Sequence, residues 1–194
     1  MTGILKVDQW KDSGDNALIS SNGSGALTFN ASSITGITQG ITEADQWRVT
    51  TSFSGDQTPV ASNWERNDTD FALIGTGMTQ SSGIFTFPST GIYFVEYGGV
   101  VSSTVQNRWA DFKIEFTTDN STYNLRGAQG TVGFYTNGTD SIYSSGRSNC
   151  ILDVTNTSTH KVRFSIDFHS GSAIARCSST YQYHGATFLR LGDT

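Results

Sequence analysis

Apolar and polar positions alternate with a period of two over most of this chain, which is the signature of half-buried β-strands. The longest strongly apolar stretch, GIFTFPSTGIYFVEYGGVV, runs over residues 83–101. Phe85 and Phe87 alternate with Ile84 and Thr86, and Pro88 and Gly91 then punctuate a turn. In IYFVEYGGVV, Tyr93, Val95, Tyr97 and Val101 share one face. Ile92, Phe94 and Val100 share the other with one carboxylate, Glu96. A strand that is apolar on both faces needs cover on both. In a two-sheet sandwich one cover is the partner sheet, and we expect the second to be another copy of the chain.

Other strands read as amphipathic. In QWRVTTSF, Trp47, Val49, Thr51 and Phe53 point one way, and Gln46, Arg48, Thr50 and Ser52 the other. FALIG reads as a short strand between a polar loop holding Trp64 and the turn TGMTQSSG. In WADFKIEFTTD, Ala110, Phe112, Ile114 and Phe116 point inward and Trp109 points outward. Residues 130–145 read as a loop or edge, and CILDV places Cys150, Leu152 and Val154 on one face. In HKVRFSIDFHS, Val162, Phe164, Ile166 and Phe168 go in and His169 goes out, and HGATFLRL closes the chain. Many strands divided by turn clusters, with no helical stretch, predict an all-β, antiparallel jelly-roll β-sandwich over residues 46–194.

Residues 1–45 differ. ILKV, ALI and ALTF are short apolar patches separated by DSGDN and SSNGSG, and SITGITQGITEAD follows. They hold too few apolar residues for a core of their own. We expect an extended N-terminal arm that orders against a partner or its own copies, with a flexible leader as the plainer alternative. Ile4, Leu5, Val7, Trp10, Leu18 and Phe29 are its candidate anchors.

Composition narrows the function. The 194 residues include 21 Gly, 12 Phe and 7 Tyr, only 15% are charged, and the net charge is −5. No segment gathers Lys and Arg, so no phosphate-neutralising surface for nucleic acid is expected. No window reaches transmembrane-helix length, and MTGILKVDQWKD lacks a signal-peptide pattern, so membrane insertion is not expected and synthesis is expected in a reducing cytoplasm. Cys150 and Cys177 have no metal-ligand spacing and are expected as free buried thiols, pairing being the alternative.

Enzyme motifs are not evident. GTGMTQSSG lacks the Lys of a phosphate loop, and no Gly-x-Ser-x-Gly elbow occurs. His160, His169 and His184 have no short metal-ligand spacing. Asn67, Asp68 and Asp70 read as a solvated turn rather than a calcium loop. A carboxylate pair for glycoside hydrolysis would be assembled only in space. No cofactor is expected. Trp64, Trp109, Tyr135, Tyr143, Tyr181 and Tyr183 form a candidate ligand surface, because aromatics beside Arg and Asn stack on sugars or anchor interfaces. Packing within the domain is the plainer reading of each.

Phe85, Gly91, Tyr93 and Tyr97 resemble the Phe-x5-Gly-x-Tyr motif of the tumour necrosis factor and complement globular-head superfamily, with Val95 where that family has Phe. HGATFLRLGD is similar to its closing strand. The resemblance implies a jelly roll closed around a threefold axis, with Tyr93, Tyr97, Phe188 and Leu189 as trimer contacts. ITEADQWRVTTSF, ASNWERND and GTGMTQSSGIFTFPSTGIYFVEY resemble virion-associated proteins of marine bacteriophages, including phages of cyanobacteria. That resemblance implies a non-enzymatic virion-surface protein of head-decoration or head-fibre type. It would be homotrimeric and joined to other virion proteins through its arm. The alternative is a glycan-binding tip of a short tail fibre.

Overall fold

The computed structural model describes residues 9–21, 24, 27–29, 40–129, 133 and 140–194. The chain divides into two compact units, Met1–Gln39 and Gly40–Thr194. Within the segment expected as an extended arm, β1 (Gln9–Lys11), β2 (Ala17–Ser21) and β3 (Leu27–Phe29) form a three-stranded antiparallel sheet in the order β1-β2-β3. The turn residues of DSGDN close the first hairpin. The Asp12 carboxylate accepts the N–H groups of Gly14 and Asn16 at 2.8 and 3.0 Å, and Asp15 takes a φ of 64°. The division lies ahead of Glu43 and Ala44, which therefore belong with the second unit.

The second unit holds β4 (Ala44–Val49), β5 (Phe53–Ser54), β6 (Trp64–Arg66), β7 (Thr79–Ser81), β8 (Ile84–Thr86), β9 (Gly91–Ser103), β10 (Ala110–Thr117) and β11 (Asn124–Gln129), then β12 (Ile142–Val154), β13 (Lys161–Phe168), β14 (Ile174–Arg176) and β15 (His184–Gly192). Five of them form one sheet, in the order β11-β10-β13-β8-β7. The other seven form the large sheet, β5-β14-β9-β15-β4-β6, with β12 on the free side of β9. All pairings are antiparallel. Strand β9 is the hub. β12 follows it along its full length, while β15 and then β14 share its other edge.

The two sheets close over an aromatic core, as the alternation of β9, β10 and β13 predicts. Phe112, Ile114, Phe164 and Ile166 are fully buried. Tyr97 stacks on Phe164 at 4.8 Å, and Phe85 meets Phe164 and Phe188 at 5.3 and 5.4 Å. Side chains of this size each contribute about 1.5–3 kcal/mol by burial. Tyr93, Tyr97 and Phe188, at 1, 0 and 2% exposure, point into this core. They are therefore not surface contacts between copies, a correction to the contact set that resemblance implied. Of that set only Leu189 lies on the outer face.

Several local expectations also change. FALIG is not a strand. Ile74 forms only an isolated bridge to Ala44, and Leu73 and Ile74 stay exposed. The loop holding Trp64 contains β6, and Trp64 is buried with its Nε1–H donating to the Val60 carbonyl at 2.7 Å. Its burial removes it from the candidate ligand surface. Arg48, expected to face water, is 2% exposed. It lies under Glu65 and Asp68, which hold its guanidinium at 3.0 and 2.6 Å. Asp68 is thereby committed to an ion pair, and the hydrogen bond from Arg48 holds its carboxyl below the usual range. Among the described residues no group of three or more His, Cys, Asp or Glu is placed to hold a metal.

Candidate functional site

Antiparallel partners share a face of the sheet, so the register of the large sheet defines its outer surface. Since Tyr93, Val95, Tyr97 and Val101 point inward, Phe94, Glu96, Gly98, Val100 and Ser102 point outward. Two features of that surface are of interest, and they sit toward opposite ends of β9.

The first is an apolar row. Ile151 on β12, Phe94 on β9, Leu189 on β15 and Ala44 on β4 stand side by side in register. Ile151 is 65% exposed, and the other three are half-buried. Ile92 lies two residues along β9 from Phe94, and Leu191, 51% exposed, follows Leu189 at the end of β15. The next row, Asn149, Glu96, Thr187 and Gln46, is polar.

The second feature is a cavity of about 560 Å³ lined by Ser52, Val100, Tyr143, Arg176, Cys177 and Tyr183. Short strand β14 lies beside the last part of β9, so that Arg176 pairs with Val100, and Tyr143 of β12 pairs with Ser102 from the other side. The Arg176 Nε–H donates to the Ser102 Oγ at 2.6 Å, and its guanidinium lies 5.5 Å from the centre of the Tyr143 ring. The loop into β15 supplies Tyr183. Ser178 Oγ accepts the N–H groups of Thr180 and Tyr181 at 3.0 and 3.1 Å, which folds that loop back, and the Tyr183 carbonyl accepts the Val100 N–H at 2.8 Å. The Tyr181 and Tyr183 rings stack at 5.8 Å. The Cys177 N–H donates to Ser52 Oγ at 3.0 Å, and burial pushes the Cys177 thiol up to about 12. A thiol so protonated is no nucleophile.

Of the predicted ligand surface, Tyr143, Tyr181 and Tyr183 are exposed and gather at this end. Trp109 is half-buried against His169, 6.0 Å away, and Tyr135 lies outside the described residues. Of the predicted anchors, Trp10 and Leu18 are 58 and 41% exposed. Ile4, Leu5 and Val7 lie outside the described residues, and only the backbone of Phe29 is described. Sequence reasoning missed Arg176, because the three residues of β14 are too short for an alternation to register, and Ser102, a small polar residue near the end of β9 that falls beyond the apolar run. It also missed Ile151, which sits at an outward position of CILDV.

No protein-family model matches the chain, and no curated protein matches it. Among solved structures the chain is similar to one titled "Structure of Eiger TNF from S. frugiperda", with a TM-score of 0.54 at 12% identity, covering 80% of this chain and 96% of that one. The likeness fixes the fold as a jelly roll of the tumour necrosis factor kind.

Proposed function

We propose that this chain is a non-enzymatic structural protein of a virion surface, of head-decoration or head-fibre type. It works as a homotrimer and attaches through its N-terminal unit. The observation that carries the self-association is the row Ile151, Phe94, Leu189 and Ala44 on the outer face of the large sheet. Apolar side chains collected on one open sheet face mark an interface, and most soluble homo-oligomers close with point-group symmetry rather than extend as filaments. The threefold order, the virion location and the role of the N-terminal unit rest on the sequence resemblances.

The test is the mass in solution. Light scattering at micromolar concentration is expected to give three times the chain mass of 21.0 kDa. Phe94→Asp or Ile151→Asp is expected to return the protein to a monomer, because each places a charge in a dehydrated contact, while the thermal transition stays cooperative. A monomer mass for the natural chain with a cooperative melt refutes the self-association. Immunogold labelling of intact particles tests the location, and failure to label any particle surface overturns it.

A further inference from the structure

We infer that the cavity between Tyr143, Arg176 and Tyr183 binds a carboxylate-bearing sugar, such as a uronic acid residue of a polysaccharide. This inference stands on the cavity alone and does not depend on the trimer.

Arg176 is the starting point. The other buried or half-buried arginines among the described residues are Arg48, Arg66, Arg163 and Arg190, and each is paired with a carboxylate. Half-buried Arg176 has no such partner among the described residues. Ser102 takes its Nε–H, and the Tyr143 ring lies against the guanidinium. No hydrogen bond among the described residues engages the two terminal nitrogens. Partial burial of an unpaired charge is costly. The two terminal nitrogens form a planar fork suited to the two oxygens of a carboxylate. A cationic ligand is disfavoured by the same charge.

The walls say what carries the carboxylate. Tyr143 and Tyr183 are 61 and 48% exposed, so their rings rim an open cavity rather than fill it. Tyrosine offers an apolar ring face with a polar tip, which suits a sugar that is apolar across its C–H face and polar at its edge. Ser52 adds a hydroxyl to the lining. The volume lies within the ~300–1,000 Å³ usual for small-molecule sites. A lipid chain would need a more apolar wall. A nucleotide would bring several negative charges to a single cation on a chain of net charge −5.

The experiment titrates the full-length protein with D-glucuronate, D-glucose and acetate by saturation-transfer NMR and calorimetry. Glucuronate is expected to saturate at millimolar concentration, with glucose and acetate each about tenfold weaker or worse, since each offers one half of the recognition. Arg176→Gln, Arg176→Lys and Tyr183→Ala are each expected to weaken glucuronate by about tenfold or more. Tyr183 lies on the exposed rim, so that variant remains decisive should Arg176→Gln fail to fold. The inference is overturned if glucuronate does not saturate at tens of millimolar, if glucose or acetate binds equally well, or if Tyr183→Ala binds unchanged. Mass measured on the same sample reports the oligomer separately, so either proposal can fail while the other stands.

Discussion

His184 is the most consequential buried polar residue. It is fully buried, its Nε2 is 2.8 Å from the Tyr97 hydroxyl, and its ring packs against Phe53, Tyr97 and Phe112. Burial pushes its pKa down from 6.5 to about 3. The unfolded chain therefore takes up a proton at this residue below pH 6.5 while the folded chain does not, and stability falls as pH drops through the window from 6.5 to 3. The expected loss between pH 7 and pH 5 is roughly 2 kcal/mol, or about 4–8 °C in melting temperature. Asp119 acts lower. The Thr122 N–H, with the Thr117 hydroxyl and Ser121 N–H, depresses its carboxyl from 3.8, so its contribution is lost only as pH falls below that. The interval from pH 5 to 6.5 thus isolates the histidine, and His184→Gln is expected to flatten the melting curve there. An unchanged slope in that variant would refute the assignment. Cys150 and Cys177 are free, with thiols raised by burial to about 11 and 12. Reductant is expected to leave the melting temperature unchanged, and Ellman's reagent to react slowly until the protein is unfolded.

At the scale of elements, legibility followed strand length and exposure. Strands β9, β10 and β13 could be read because each has eight or more residues and at least one face in the core. Strands β6 and β14, of three residues each, gave no period to read. The double apolar face of β9 was legible as a pattern, but which face met the core was not, and three of the four trimer contacts taken from the resemblance, Tyr93, Tyr97 and Phe188, point into the core. The large tyrosines fill the core and the smaller set around Phe94 faces out. Arg48 was misread because alternation records the side of a strand and not what later folds over it. Gly98 and Gly185 stand opposite each other on β9 and β15, between Arg147 and Arg48 in the same row. A Cβ on Gly98 would lie 2.2 Å from the Gly146 carbonyl oxygen, and one on Gly185 2.2 Å from that of Trp47. These neighbours are backbone and cannot swing away. Gly98→Ala and Gly185→Ala are each expected to cost roughly 3 kcal/mol, seen as a fall of about 10 °C in melting temperature.

For the whole molecule, the division into two units lets the proposed attachment role of the first be tested apart from the jelly roll of the second. Removing residues 1–39 is expected to leave a cooperatively folding jelly roll that no longer joins particles, and normal incorporation of that protein would refute the attachment role. The large sheet also dictates when it can form. Strand β15 lies between β9 and β4, and the bond between the side chains of Gln46 and Thr187 spans 141 positions. While the chain is being made, β4 emerges early and can pair with β6, but its other neighbour, β15, is still untranslated. Closure of so long a loop is entropically costly and slow, so the large sheet completes itself only after β15 has been made. A chain arrested before residue 184 should therefore expose the edge of β9 at Val95 and Tyr97 and be cut rapidly by protease.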